Sequence, residues 1–280
     1  MDLLGEGLKI NAARAAWEKE PVVTLAWCRP SHVHGRFMES VLDMYVDDLR
    51  RSPVGNRGKH ILRPGGGYIA LQTSPRIAEA RSQLVDVFLN HEDHKGSDWL
   101  LMVDTDMVLP DDTVPRLLEH AHPVDAPIIG GLCFAGSPFG RQYPTVYRAY
   151  MDEDNDIAVE PVTELPDTDG LVKVGGTGAA CLLVHRNVYQ RMAVTFAKTA
   201  DGRANVYPWF QEGLTTKKGI PLGEDIAFCR RAMLMGIPIH VHMGVEVGHM
   251  KEDSLSRASF ERYRERVIEE DECSSTSKPS

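Results

Sequence analysis

Short apolar runs of strand length alternate with amphipathic stretches of helical length along most of this 280-residue chain. Residues 22–28 (VVTLAWC), 99–103 (WLLMV) and 179–184 (AACLLV) are apolar enough to be buried on both faces of a sheet. Residues 37–49 and 77–88 repeat apolar side chains at the spacing of one helix face. The alternation predicts an α/β fold in which a mixed, mainly parallel sheet is flanked by helices.

We expect a single domain, because a chain of this length accommodates one large α/β unit. Apolar residues make up 42% and charged residues 25% of the chain, which excludes a wholly disordered protein. The predicted boundaries are an N-terminal extension over residues 1–20, a globular domain over residues 21–254, and a charged C-terminal helix with a disordered tail over residues 255–280. An acidic insertion over residues 151–170 separates two halves of the domain.

The cysteines and the hydropathy pattern indicate where in the cell the protein is expected to work. The five cysteines are scattered and form no CxxC pair, which predicts reduced thiols and a cytoplasmic protein. No apolar run approaches the ~20 residues that cross a bilayer, and residues 1–10 lack the pattern of a secretory signal, so we expect no membrane partner. The formal net charge of -9 disfavours a nonspecific coat on nucleic acid.

The most informative motif is the pair of carboxylates that follows the apolar run 99–103. Asp104 and Asp106 would lie at the carboxyl edge of the sheet, where open α/β folds bind ligands. Strand alternation would direct both side chains to the same side, where carboxylate oxygens could hold a hard divalent cation. An isolated Asp-x-Asp is more typical of a loop that leads into a helix, with Asp106 and Asp111 at the helix start.

Two later segments carry further groups for chemistry. Glu224 and Asp225 open an amphipathic helix, where Asp225 either caps the helix or serves as a general base. His249 comes directly after a predicted strand, and its imidazole could complete a metal site. His240 and His242 share one strand face and are a rival metal pair, for which packing is the simpler interpretation.

In their order and spacing these segments resemble the GT-A glycosyltransferases, particularly the inverting enzymes that use nucleotide sugars. The matching stretches are VDTDM, GGTGAACLLVHR, GEDIAFCRRAMLMG and VEVGHM, and the resemblance spans residues 22–251. The segment PRIAEARSQLVDVFL also looks like that of phage and bacterial relatives and of fungal mannan-synthesis enzymes. The resemblance implies a GT-A (Rossmann-like) domain over residues 21–254.

The resemblance also implies roles for the acidic residues and the late histidine. Asp106 and His249 would ligate Mn²⁺ or Mg²⁺, and Asp104 would contact the donor ribose, or the metal through water. Asp225 would remove the proton from the acceptor hydroxyl, with Glu224 beside it orienting the acceptor. The cation would neutralise charge on the departing nucleoside diphosphate.

Further positions would line the nucleotide-sugar donor: Trp27, Arg29, Arg76, Arg81, Gly176, Thr177 and Gly178. The two helix arginines would pair with the diphosphate or contact the base, the alternative being a solvated helix face. The loop after the first strand would lie against the nucleobase. The glycine turn would let backbone approach the sugar, the alternative being a plain tight turn. The aromatic residues of the loop 207–210 could stack on a sugar or form a small hydrophobic cluster.

The sequence therefore predicts a metal-dependent glycosyltransferase that moves a sugar from a UDP-sugar or GDP-mannose to an acceptor hydroxyl with inversion, retention being the alternative. The acceptor could be a phage protein, a glycan or a hydroxymethylated DNA base, for which a basic loop over residues 50–63 is the candidate track. A phage-encoded enzyme would work in the host cytoplasm. Two other classes stay open: a haloacid-dehalogenase-like phosphatase using the motif DTDMVL, and a noncatalytic sugar-binding protein on a degenerate transferase fold.

Overall fold

The computed structural model describes residues 21–30, 32–51, 60–62, 67–72, 76–136, 142–154, 156–199, 202–219, 221–250, 254–257, 260, 261 and 264. The strands are β1 (Val23–Cys28), β2 (Ile69–Leu71), β3 (Trp99–Val103), β4 (Met107–Val108), β5 (Ile128–Gly136), β6 (Gln142–Pro144), β7 (Val146–Met151), β8 (Ile157–Pro161), β9 (Leu171–Val174), β10 (Gly176–Thr177), β11 (Cys181–His185), β12 (Ile239–Met250) and β13 (Ser254–Leu255). The helices are α1 (Gly35–Arg51), α2 (Ile77–Asn90), α3 (Thr113–Glu119), α4 (Arg186–Thr195) and α5 (Glu224–Leu234), with one 3₁₀ turn at Glu92–His94.

Among the described residues, ten strands form the main sheet, in the order β13-β12-β5-β11-β3-β1-β2, with β4 and β9 paired to β12 and β6 paired to β5. Strands β2, β1, β3, β5 and β12 run in one direction, and β11 runs in the opposite direction between β3 and β5. The predicted architecture, a mixed and mainly parallel sheet, is confirmed. A smaller antiparallel sheet has the order β10-β7-β8.

Helices cover both faces of the main sheet. Helices α1 and α3 pack on one face, where Phe37 and Leu117 are fully buried. Helices α2, α4 and α5 pack on the other, where the ring of Tyr189 contacts those of Phe88 and Phe228 at centroid distances of 6.4 and 6.1 Å. Because burial of each ring contributes roughly 1.5–3 kcal/mol, these contacts hold α2 and α5 side by side.

The strongest sequence patterns match the observed elements closely. The apolar run 99–103 is β3, and the helix predicted over residues 37–49 is α1, which begins two residues earlier and ends two residues later. Before α2, the sequence offers Ser74 as a helix cap and Pro75 as a first-turn residue, and both lie outside the described residues. Long apolar or amphipathic runs are therefore located correctly, because their hydrophobic faces specify where they pack.

Two features of the second half go beyond the sequence patterns. The acidic insertion over residues 151–170 contains β8, which pairs with β7 and belongs to the smaller sheet. The sequence predicts that the last strand ends at residue 247 and that His249 follows it. In the structure this strand, β12, continues to Met250, so His249 lies inside it. The reason is tertiary: His249 pairs with Met107 of β4 and with Leu255 of β13, and two-residue strands give no periodic signal.

The ends of the chain are described only in small part. The predicted extension over residues 1–20 and residues 265–280 of the predicted C-terminal segment lie outside the described residues. None of the helices within the described ranges is long and apolar enough to cross a bilayer. The four cysteines in these ranges are thiols and not disulfides, and Cys273 lies outside them.

Candidate active site

A tight turn between β3 and β4 carries Asp104 and Asp106. The backbone N–H of Asp104 donates to the carbonyl of Ala180 at 3.0 Å, and the N–H of Met107 donates to the carbonyl of Asp104 at 3.2 Å. Because both aspartates lie in this turn, their side chains do not follow the alternation of a strand. Each carboxylate has its own set of partners.

Asp106 and His249 are brought together where β4 pairs with β12. The Nε2 atom of His249 lies 3.0 Å from Oδ2 of Asp106, and its Nδ1 atom lies 2.7 Å from the carbonyl oxygen of Phe134 on β5. A carbonyl oxygen only accepts, so Nδ1 carries a proton. Nε2 is therefore the nitrogen that either presents a second proton to the Asp106 carboxylate or binds a cation.

This pair fits a divalent cation as two of its ligands. Imidazole nitrogen and carboxylate oxygen both suit Mn²⁺, and two adjacent ligands about 2.1 Å from one ion lie about 3 Å apart. The carbonyl of Phe134 fixes the imidazole tautomer, as hydrogen bonds to the other ring nitrogen do at metal sites. The side chain of Asp106 is 45% exposed and that of His249 is 12% exposed, so the carboxylate is accessible from solvent. Within the described ranges, no group of three or more His, Cys, Asp or Glu side chains is placed to hold a metal.

Asp104 pairs instead with Arg81 of α2. Nη2 of Arg81 donates to both carboxylate oxygens of Asp104, at 2.9 and 2.8 Å, and Nη1 donates to Oε1 of Glu224. Burial alone would lower the pKa of Arg81, but Asp104 and Glu224 more than offset this and the pKa is raised. Arg81 is only 5% exposed, so it joins α2, the β3–β4 turn and the start of α5 and does not lie on a solvated helix face.

Glu224 and Asp225 form the first turn of α5, after Gly223 at the N-cap. Oδ1 of Asp225 accepts a hydrogen bond from the backbone N–H of Ile226 at 2.7 Å. Burial raises the pKa of Glu224 although Arg81 opposes it, and burial likewise raises the pKa of Asp225. A carboxylate with a raised pKa is a stronger base, which suits removal of a proton from a hydroxyl group.

The glycine turn packs on protein atoms. Thr177 is 1% exposed. A side chain added at Gly176 would place its Cβ 3.4 Å from Cδ1 of Ile226, and one added at Gly178 would place its Cβ 3.0 Å from Oγ1 of Thr145. The interpretation as a tight turn accounts for the close contact at Gly178, where an added Cβ would press on Thr145, whereas the distance at Gly176 is an ordinary van der Waals contact.

The remaining predicted donor residues lie at or near the same edge of the sheet. Trp27 is 4% exposed, and its ring stacks on Tyr68 at 4.9 Å and meets Phe37 edge-on at 5.7 Å, so it faces α1. Arg29 is exposed just after β1, and Arg76 is exposed just before α2. Both arginine side chains are therefore open to solvent near this edge.

The aromatic loop and the late histidine pair are structural. Trp209 and Phe210 are buried; the indole N–H of Trp209 donates to a backbone carbonyl, and Phe210 stacks on Phe228 at 4.8 Å. The hydrophobic cluster is therefore the correct interpretation of these two residues. Burial lowers the pKa of both His240 and His242 to about 4, which leaves two neutral, packed imidazoles.

Sequence reasoning missed two members of the site. The carbonyl of Phe134, which fixes the imidazole of His249, is a backbone group and leaves no trace in the side-chain pattern. Tyr147 on β7 is the second: burial and then the nearby Asp225 carboxylate raise its pKa to about 12. In the basic loop, Arg57, Lys59 and Arg63 lie outside the described residues.

No model of a known protein family matches this chain, and no curated protein matches its sequence. Among solved structures it is similar to A197 from STIV, at 14% identity over 85% of this chain and 91% of that one, with a TM-score of 0.48. It is also similar to a glycosyltransferase involved in the glycosylation of the major capsid of PBCV-1, at 11% identity over 67% of this chain and 72% of that one, with a TM-score of 0.33.

A third similar structure is GalNAc-T7 with UDP, GalNAc and Mn²⁺, at 10% identity over 89% of this chain and 48% of that one, with a TM-score of 0.44. All three TM-scores lie below 0.5.

Proposed function

We propose that this chain is a metal-dependent glycosyltransferase of the GT-A type that moves a sugar from a UDP-sugar or GDP-mannose to an acceptor hydroxyl with inversion. The observation that carries the proposal is the β3–β4 turn, from which Asp106 pairs with His249 while Asp104 is joined through Arg81 to Glu224 at the start of α5. The β3–β4 turn thus contributes to the Asp106–His249 pair, which is suited to a cation, and is also joined through Arg81 to the first turn of α5, which holds the candidate base Asp225.

Asp106 and His249 would hold Mn²⁺ or Mg²⁺. When bound, the cation neutralises negative charge on the diphosphate as it leaves. With only two protein ligands, the site would leave room beside the cation for the anionic donor. Arg29 and Arg76 are exposed near the same edge and would contact the anionic donor, while the guanidinium of Arg81 donates to two carboxylates.

Asp225 would act as the general base. It takes the proton from the acceptor hydroxyl; the acceptor oxygen forms a bond to the anomeric carbon, and the bond from that carbon to the diphosphate oxygen breaks. The electron pair leaves with the nucleoside diphosphate, and attack from the opposite side inverts the anomeric centre. Glu224 is held by Arg81, so Asp225 is the carboxylate of this helix start that we assign to proton removal.

The contacts of Asp104 support transfer over the phosphatase alternative. In a haloacid-dehalogenase-like phosphatase, Asp104 would attack phosphorus, which requires an oxygen directed at the substrate. Both of its oxygens accept hydrogen bonds from the buried Arg81. The noncatalytic alternative does not account for Asp225, a half-buried carboxylate held with a raised pKa.

A donor panel tests the proposal. UDP-glucose, UDP-GalNAc and GDP-mannose are each incubated with the protein and Mn²⁺ or EDTA, and released nucleoside diphosphate is measured. We expect one donor to be hydrolysed in Mn²⁺ only. The productive donor is then offered a phage coat protein, a glycan and hydroxymethylated DNA, and NMR of the product reads its anomeric configuration. A retained anomer contradicts single displacement by Asp225, and an aspartyl-phosphate trapped on Asp104 contradicts glycosyl transfer.

A further inference from the structure

Helix α1 carries an apolar stripe on its solvent side. Leu42, Val46 and Leu49 are 58%, 39% and 60% exposed, and they recur at helical spacing along one face. The opposite face of the same helix is buried on the sheet through Phe37 and Met44. Large apolar side chains aligned in solvent mark an interaction surface more often than scattered single ones do.

A cavity of about 400 Å³ lies beside this stripe. Its walls are Leu42, Tyr45 and Leu49 of α1 together with Trp27 and Tyr68 near the β2 edge of the sheet. Tyr68, at the mouth, is 46% exposed. Leu42 and Leu49 belong to both the stripe and the cavity wall, so the apolar stripe forms one rim of the cavity. An apolar rim bordering an apolar groove is a shape that can receive a copy of itself.

We propose that a second copy of this chain covers the stripe, with the two α1 helices antiparallel about a two-fold axis. The leucines of each stripe enter the cavity of the other copy. A two-fold contact uses one patch twice, so the ridge and the groove of a single chain suffice for both halves.

The charges along α1 favour this direction of packing. Glu39 near its start and Arg50 near its end are both exposed. In an antiparallel pair centred between residues 44 and 45, Glu39 of each copy faces Arg50 of the other, which gives two opposite-charge contacts. In a parallel pair like charges would face each other. The dipoles of the two helices also oppose each other favourably when the helices are antiparallel.

The stripe residues are separate from the residues to which we assign cation binding and proton removal. Helix α1 packs on the face of the sheet opposite to α2 and α5, which carry Arg81 and Asp225. Variants of the stripe should therefore leave donor hydrolysis unchanged, and loss of catalysis should leave self-association unchanged.

Sedimentation velocity of the full chain from about 1 to 200 µM tests the proposal. We expect the mass to rise with concentration from 31.1 kDa towards twice that value. Leu42→Glu should raise the dimer dissociation constant at least ~100-fold, because it places a charge in the centre of the contact. Val194→Glu is the matched control, since Val194 is an 81% exposed apolar residue on α4 at the other face, and it should leave the constant unchanged.

Exchanging the charges at Glu39 and Arg50 tests the antiparallel pairing of the two α1 helices. Glu39→Arg alone and Arg50→Glu alone should each weaken the dimer about 5- to 20-fold, since each creates two like-charge contacts. The double variant restores both contacts with reversed sign and should return to within about 2-fold of the wild type. A mass of 31.1 kDa at every concentration, a dimer that tolerates Leu42→Glu, or a double variant no stronger than the singles would each overturn the proposal.

Discussion

The Nε2 atom of His249 lies 3.0 Å from Oδ2 of Asp106, while the carbonyl of Phe134 holds the opposite nitrogen of the same ring. Two residues 143 positions apart in the sequence are thus set at the spacing of adjacent ligands of one ion. This relationship gives the site its expected metal dependence.

Replacing His249 by Ala should weaken Mn²⁺ binding about 10- to 100-fold, because one of two protein ligands is lost. The measurement is titration of the protein with Mn²⁺ followed by electron paramagnetic resonance. His122→Ala is a matched control, since His122 also lies within 3.1 Å of a carboxylate, that of Asp125, in an exposed pair. Equal Mn²⁺ affinity in both variants would contradict the assignment.

Replacing Arg81 by Met should lower the free energy of unfolding at pH 7 by about 3–5 kcal/mol, because Asp104 and Glu224 then remain without their cation in a largely buried site. Urea unfolding measures the loss, which should shrink at acid pH as the carboxylates are protonated. Lys95→Met removes an exposed ion pair and should change stability by less than about 0.5 kcal/mol. If Arg81→Met and Lys95→Met lose similar amounts of unfolding free energy, the ion pairs of Arg81 do not stabilise the fold as buried pairs.

The contacts of Arg81 depend on tertiary packing and could not be predicted from the sequence. Strand and helix signals locate the DxD run, the helix start at Glu224 and the late His249, and the resemblance to GT-A glycosyltransferases implies that they belong to one site. The pairing of Asp104 with Arg81 could not be predicted, since it depends on how closely α2 packs against the β3–β4 turn. The same holds for β12, whose last residues pair with β4 and β13, strands too short to leave a pattern.

Replacing Asp225 by Asn should abolish activity while raising stability at neutral pH. Because burial raises the pKa of Asp225, the folded protein binds this proton more tightly than the unfolded chain, and folding loses stability as pH rises through the raised pKa. The variant avoids that loss, so its melting temperature should exceed that of the wild type by about 1–3 °C at pH 8 and converge with it at acid pH. Nucleoside diphosphate release should fall about 10²- to 10⁴-fold.

Asp156 is the matched control of opposite sign. The backbone N–H of Lys217 and the guanidinium of Arg230 lower the pKa of Asp156, so this carboxylate contributes stability above the pKa it has in the unfolded chain, and the contribution is lost as pH falls through the lowered pKa. Asp156→Asn should therefore lower the melting temperature at pH 8. If Asp225→Asn also lowers the melting temperature at pH 8, the claim that the buried negative charge of Asp225 destabilises the fold is contradicted.

The most direct test of the central claim is nucleoside diphosphate release from the productive sugar donor by the wild type, His249→Ala and His122→Ala, each with Mn²⁺ and with EDTA. We predict release by the wild type and His122→Ala in Mn²⁺ alone, and a loss of at least ~100-fold in His249→Ala. Release that persists in EDTA, or that is equal in the two histidine variants, would contradict metal-dependent glycosyl transfer at this site.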